Sequence, residues 1–280
     1  MISYRVRKRK AEAGMKNYSF IGAGNMAYAI IGGMGDRACI TVYDKIRSQY
    51  DKFCGKVAIA ESIADAVRTA DYIVLSVKPQ NFREVLEEIK DSGVSLDGKT
   101  FISIAAGVKI SSVCAGLGRE VPVIRTMPNT PLLIGKGVTA LSRNGAVSDE
   151  AFDEITGVFS SLGKTVMLPE SSMNAVIAAT SSAPAYIYYF IDCMYKEAQA
   201  QGLDGKEMLE AICETVKGSA DMVISSGKDP EELVKMVTSP NGTTERAMKV
   251  FYDDGLKDTV VRAMKACTAR AEQLSDELDK

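Results

Sequence analysis

Hydrophobic positions change their rhythm once along this chain. Over residues 16–169 short apolar runs alternate with amphipathic stretches, and beyond Pro169 only helical spacing remains. The short runs at 18–21, 39–43, 72–77, 100–104, 121–126, 138–141 and 165–168 have the length and β-branched content of strands. Between them the spacing predicts helices, for example over 81–90, where Phe82, Val85, Leu86 and Ile89 form one stripe, and over 149–162. Strands alternating with helices predict an α/β domain built on a parallel, doubly wound sheet. The second half predicts helices over 174–180, 183–201, 205–225, 230–237, 243–252 and 257–278. The expected organisation is an α/β domain over 15–169 and an all-helical domain over 170–280, after a basic extension over 1–14.

The first strand runs into Ile21-Gly22-Ala23-Gly24-Asn25-Met26-Ala27, a G-x-G-x-x-A turn that opens directly into a helical pattern. In such a turn the first glycine permits the bend, the second lets a pyrophosphate approach the backbone, and the small third residue lets helix and strand pack closely. The helix N-terminus then faces the phosphates. A strand before the turn and a helix after it are the flanks that this mechanism demands. A tight strand-to-helix turn without a ligand is the plainer reading of the same residues.

Ligands of doubly wound sheets sit beyond the carboxyl ends of the strands, so the residues there are candidates. One such loop is Ser76-Val77-Lys78-Pro79, where Lys78 is either a phosphate or ribose contact or a surface lysine. Another is Ile104-Ala105-Ala106-Gly107, whose small side chains let a flat ring lie against the backbone. A third, Arg125-Thr126-Met127-Pro128-Asn129-Thr130-Pro131, reads as a rigid loop. Asp44 stands about twenty residues beyond Gly24, where a carboxylate bonds both ribose hydroxyls of NAD and repels the extra phosphate of NADP. Lys45 and Arg47 follow at once and suit a 2′-phosphate, so preference between NADH and NADPH stays open.

Two features mark the helical half. The stretch from Ala185 through Met194 is apolar on nearly every face, so the expectation is a helix buried on all sides against a partner subunit in a homodimer. The loop Ser239-Pro240-Asn241-Gly242-Thr243-Thr244-Glu245 leads into a helix, and free N–H groups at Gly242, Thr243 and Thr244 would suit a carboxylate. An ordinary helix cap explains the same residues.

Composition narrows the chemistry. A net charge of -2 offers no general attraction to nucleic acid or to a membrane surface, and no apolar run approaches the ~18 residues of a span. The chain has no histidine, which excludes Ser-His-Asp and Cys-His nucleophile systems and histidine-ligated metals. Its six cysteines form no C-x-x-C pair and sit in apolar patterns, so reduced, buried thiols in a cytoplasmic protein are expected. Residues 5–10 are basic without a following hydrophobic segment, and Met15 is a candidate start.

Six ordered motifs together resemble the pyrroline-5-carboxylate reductase family. They are Phe20-Ile21-Gly22-Ala23-Gly24-Asn25-Met26-Ala27, Val77-Lys78-Pro79, Ser103-Ile104-Ala105-Ala106-Gly107-Val108, Met127-Pro128-Asn129-Thr130-Pro131, Ser182-Ala183-Pro184-Ala185-Tyr186 and Ser239-Pro240-Asn241-Gly242-Thr243-Thr244. The resemblance covers the chain from about Met15 onward. It implies an N-terminal Rossmann-type doubly wound parallel sheet, an all-α dimerisation domain and often a ring of dimers. It also implies NADPH or NADH as cofactor and an imino-acid substrate, with hydride transfer to 1-pyrroline-5-carboxylate yielding L-proline. The site residues implied for the cofactor are Ile21, Gly22, Ala23, Gly24, Asn25, Met26, Asp44, Ser76, Val77, Lys78, Pro79, Ile104, Ala105 and Ala106. For the substrate they are Ser239, Asn241, Gly242, Thr243 and Thr244, with the Thr244 hydroxyl near the imine nitrogen.

The chain departs from the family in two places. Thr180-Ser181-Ser182-Ala183-Pro184 stands where the family usually reads Ser-Gly-Ser-Gly-Pro, and Asn241 replaces a glycine. The first departure keeps an imine reductase for another substrate in view. A reductase of β-hydroxyacid type would need a lysine on its first long interdomain helix, and residues 178–193 contain none. A non-catalytic redox sensor on the same fold is the alternative from outside enzymology.

Overall fold

The computed structural model describes residues 15–278; the expected basic extension, 1–14, lies outside the described residues. The strands are β1 (Asn17–Ile21), β2 (Cys39–Tyr43), β3 (Ala58–Ile59), β4 (Tyr72–Leu75), β5 (Thr100–Ser103), β6 (Val123–Pro128), β7 (Gly137–Arg143) and β8 (Gly163–Met167). The helices interleaved with them are α1 (Asn25–Met34), α2 (Ile63–Arg68), α3 (Phe82–Asp91), α4 (Ile110–Leu117) and α5 (Asp149–Ser160). All eight strands join one sheet in the order β3-β2-β1-β4-β5-β6-β7-β8. The first six follow the doubly wound order, with the reversal of direction at β1 and β4.

Alternation along the buried strands sends side chains to opposite faces. Phe20, Val74, Ile102 and Ile124 pack on one face with α1 and α5. Ile21, Ile73, Leu75, Phe101 and Val123 pack on the other with α2, α3 and α4. Helices on both faces explain why these strands read as continuous apolar runs. α2 and α5 begin at Ser62 and Ser148, whose side chains accept from Asp65 N and Ala151 N.

Two expectations for the sheet change. It is not wholly parallel: β7 runs antiparallel to β6. The two are joined by a short 3-10 turn, Thr130–Ile134, and a connection that short cannot make a parallel crossover. The strand also continues through Met127 and Pro128, so the first part of the supposed rigid loop is sheet.

A π-helical turn, Ile177–Ser181, precedes the long helices α6 (Ala183–Ala200), α7 (Lys206–Ser226), α8 (Pro230–Val237), α9 (Thr243–Asp253) and α10 (Leu256–Leu278). The chain divides into two compact units. The first ends at Ser182 and resumes at Cys267; the second is Ala183–Ala266. None of the residues from Ala183 to Ala266 is buried within the chain. The helix expected to be buried all round is therefore bare here, with Tyr189 72% exposed and Ile187, Tyr188 and Phe190 also exposed. The expectation of buried cysteines does not hold within the single chain, and of the six only Cys193 and Cys213 share the bareness of this unit. Cys193, Cys213 and Cys54 are exposed and Cys39, Cys114 and Cys267 half-buried, and all six are free thiols.

Candidate active site

Four predicted clusters emerge side by side at the carboxyl ends of β2, β1, β4 and β5. Residues 21–26 run from the end of β1 through the turn into the start of α1, Asp44 follows β2, Ser76 to Pro79 follow β4, and Ile104 to Ala106 follow β5. Gly22 has a φ of +103°, and a Cβ on it would meet the Ser76 carbonyl oxygen at 2.6 Å. Ser76 completes the join: its hydroxyl donates to the Gly22 carbonyl at 2.6 Å and its N–H to the Ile21 carbonyl at 2.9 Å. Gly24 is different. Its φ of -68° suits any residue, and a Cβ on it would meet nothing within 4 Å. A glycine in ordinary backbone with open space before it leaves room for a ligand, not for protein.

The N-terminus of α1 fits an anion for the same reason. It carries no side-chain cap and no acidic residue in its first turn, whereas α2 and α5 have both. Its first N–H groups and its dipole are left for a negative group arriving over Gly24. A dinucleotide pyrophosphate matches that charge and that space.

Asp44, expected to bond the ribose, serves the turn. Its Oδ2 accepts from Ala23 N at 2.7 Å and its Oδ1 from Ile46 N at 2.8 Å. From the other side Lys52 Nζ donates to the Ala23 carbonyl at 2.9 Å and to Gln49 Oε1 at 2.6 Å. One charged group thus holds each end of the Ala23 residue. Each carboxylate oxygen keeps capacity for a further donor such as a ribose hydroxyl. Of the two basic candidates after Asp44, Lys45 is engaged with Glu84 at 2.7 Å, whereas Arg47 is exposed. Lys78 is exposed after β4.

Sequence reasoning missed the support behind the β5 loop. Arg125 in β6 is 2% exposed; its Nη1 lies 3.4 Å from Glu170 Oε1 and its Nη2 donates to Asn174 Oδ1 at 2.6 Å. Burial pulls the guanidinium pKa down, and Glu170 opposes that pull. Glu170 Oε1 also accepts from Ile110 N at 2.6 Å, capping α4. Asn174 Nδ2 donates to Ser275 Oγ at 3.2 Å, and Ser275 donates to the Gly107 carbonyl at 2.5 Å. Nothing local in the sequence marks this relay, because its members come from β6, the segment after Pro169 and the end of α10. Asn129 plays a similar part: its side chain accepts from Val138 N at 2.8 Å and donates to the Thr180 carbonyl at 3.1 Å in the π-turn.

The loop before α9 is a second candidate half-site, within the helical unit. Gly242 N–H is not free as expected: it donates to the Ser239 carbonyl at 3.0 Å and closes a turn. Thr243 and Thr244 N–H have no partner among the described residues, and α9 has no side-chain cap. Asn241 adopts φ +61°, one of two non-glycine positive values among the described residues. Asparagine tolerates that region better than most residues. Its N–H donates to Glu245 Oε2 at 2.8 Å, so Glu245 folds back on the turn and helps fix it.

Similarity to known proteins covers both halves. Residues 170–274 match the domain family described as pyrroline-5-carboxylate reductase dimerisation, and residues 17–107 match NADP oxidoreductase coenzyme F420-dependent. The chain is 37% identical to pyrroline-5-carboxylate reductase of Pseudomonas aeruginosa over 93% of its own length and 97% of that protein. It is 34% identical to the Escherichia coli enzyme over 93% and 98%. Among solved structures, pyrroline carboxylate reductase of Plasmodium falciparum with NADP bound superposes with a TM-score of 0.84 at 26% identity, covering 94% of this chain and all of that one.

Proposed function

The chain belongs to the pyrroline-5-carboxylate reductase family, and from that premise we propose that it reduces the cyclic imine 1-pyrroline-5-carboxylate to L-proline with NADPH or NADH. The observation that carries the reading is the pairing, in one chain, of an uncapped α1 N-terminus over an open Gly24 with an uncapped α9 N-terminus after Ser239-Pro240-Asn241-Gly242. The two ligands of this reaction each bring an anion, one a pyrophosphate and the other a carboxylate.

The cofactor supplies the hydride. This chain's residues bind, orient and exclude water. Gly24, Asn25 and Met26 receive the pyrophosphate, Asp44 the adenosine ribose, Ser76 to Pro79 the stretch between the two ends, and Ile104 to Ala106 the nicotinamide. The Thr243 and Thr244 N–H groups hold the substrate carboxylate, and the Thr244 hydroxyl bonds the imine nitrogen. An imine nitrogen is basic enough to be partly protonated near neutral pH, so its carbon accepts hydride without a strong general acid. This is consistent with a chain that lacks histidine.

The working form is a homo-oligomer built from dimers, a ring of dimers being the larger assembly, in the cytoplasm. The bare helices support this, because a helical unit without a single buried residue has no core until a second chain supplies one. No helix among the described residues is long and apolar enough to cross a membrane.

Steady-state rates with 1-pyrroline-5-carboxylate, using NADH and NADPH in parallel, test the reading. Turnover with either cofactor is expected. Tight cofactor binding with no turnover would replace it with a non-catalytic sensor. Turnover only on a different imine would assign the change of substrate to the Thr180-to-Ala183 departure.

A further inference from the structure

We propose that Ser275, in the last turns of α10, is a positioning residue for the cofactor. The inference rests on the reading that Ile104 to Ala106 receive the nicotinamide end. Ser275 is 1% exposed, and Gly107, with which it bonds, directly follows Ala106.

The Ser275 hydroxyl has one proton to give and two carbonyls in reach, Gly107 at 2.5 Å and Ala271 at 3.1 Å. The shorter contact takes the proton. Gly107 itself has a φ of +78°, and a Cβ there would meet Leu274 Cβ at 2.9 Å and the Ala271 carbonyl oxygen at 3.0 Å. The loop backbone therefore rides directly on α10, against Leu274 Cβ and the Ala271 carbonyl. Asn174 in turn donates to Ser275 and accepts from the buried Arg125. The hydroxyl is thus aimed by a charged group held in the sheet. A rigid scaffold two shells deep gives a ligand-binding loop its geometry, and a loop with a lost fixed point binds with a greater ordering cost.

Replacing the hydroxyl should weaken cofactor binding while leaving the chemistry intact. The Ser275→Ala and Ser275→Cys variants are expected to raise the dissociation constants of NADH and NADPH alike, by roughly threefold to tenfold, the effect of one lost hydrogen bond. Cysteine fills the space that alanine leaves empty and is a poor donor, so agreement between the two variants separates loss of the bond from a cavity in the alanine variant. Ser275→Thr keeps the hydroxyl and should bind as the wild type. Binding is read from the fluorescence of the reduced nicotinamide, since the chain contains no tryptophan. The KM for cofactor should rise with the dissociation constant while kcat at saturation holds. A purely structural role would lower the melting midpoint and leave affinity at 25 °C unchanged.

Gly24→Val separates the failure of this inference from failure of the cofactor reading. Wild-type affinity in Ser275→Ala and Ser275→Cys, with binding abolished in Gly24→Val, overturns the role of Ser275 and leaves the site standing. Wild-type affinity in Gly24→Val as well overturns the site, and the Ser275 proposal with it.

Discussion

Ala23 and Asp44 are joined by a hydrogen bond of 2.7 Å from the Ala23 N–H to the aspartate Oδ2. The bond ties the glycine turn after β1 to the end of the neighbouring strand β2. It means that the carboxylate proposed to face the ribose is also part of the frame that shapes the turn.

Asp44→Ser is expected to have two effects. Removing the charge relieves repulsion of a 2′-phosphate, so the ratio of kcat/KM should move toward NADPH by roughly tenfold, ~1.4 kcal/mol. Replacing the two carboxylate oxygens that accept from Ala23 N and Ile46 N by one neutral hydroxyl should also weaken binding of both cofactors. Steady-state kinetics with each cofactor separates the effects. An unchanged ratio with both cofactors weakened would confine Asp44 to the turn, and a wild type that strongly favours NADPH would give the selection to Arg47.

The two glycines of the turn should fail differently. Gly24→Val is accommodated by the protein, since nothing lies within 4 Å of its Cβ position, and it should abolish cofactor binding with the melting midpoint nearly unchanged. Gly22→Ala forces a side chain at φ +103° into the Ser76 carbonyl, so it should destabilise the fold by several kcal/mol. Thermal melts beside cofactor titrations check both. A Gly24→Val protein that binds normally would remove the pyrophosphate from this turn.

Thr244→Ala should lower turnover more than it weakens cofactor binding. Loss of one neutral hydrogen bond costs about 0.5–1.5 kcal/mol, a drop of roughly threefold to tenfold. A loss nearer ~10²-fold would place the hydroxyl in proton transfer. Thr244→Ser should keep much of the activity, and Thr243→Ala should be milder, because Thr243 is assigned a backbone role. Equal losses at both threonines would reduce the loop to a helix cap.

Tyr18 and Tyr72 stack with ring centroids 4.7 Å apart, and both donate to Glu154 at 2.7 Å. Burial first, then the Glu154 bond, raises both phenol pKa values above the ordinary value of 10.0. Below about pH 10 both folded and unfolded chains keep these protons and the contribution is whole. Above it the unfolded chain releases them first, so stability falls as pH rises, by up to ~1.4 kcal/mol per pH unit for each tyrosine. Tyr18→Phe should flatten that alkaline fall by about half and cost about 1–3 kcal/mol near neutrality, where Glu154 loses a donor. Melting midpoints from pH 7 to 11 test this. Parallel curves for wild type and variant would mean that Tyr18 titrates normally.

Much of the fold was legible in local pattern. Strand β2 begins and ends where its apolar run does, and α3 carries the stripe of Phe82, Val85, Leu86 and Ile89 that its spacing announced. The glycine turn was legible because its backbone requirement is written in residue type: Gly22 sits at positive φ and Gly24 leaves space. The two-residue β3 escaped because so short a pairing has no periodicity to detect.

By itself the sequence determined most of the strands and helices, where a G-x-G-x-x-A turn falls between the first strand and the first helix, and that imidazole takes no part. Each of these is a property of residues near one another in the chain. Only the tertiary structure decided that β7 turns antiparallel, that Gly242 N–H is spent on Ser239, and that helix α6 is bare within a single chain. It alone joined Ser275 to Gly107 across 168 positions. The physical reason is that periodicity reports the side an element buries and turn chemistry reports its backbone. Neither reports which distant donor meets which carbonyl, because that pairing exists only once the whole sheet and its covering helices have packed.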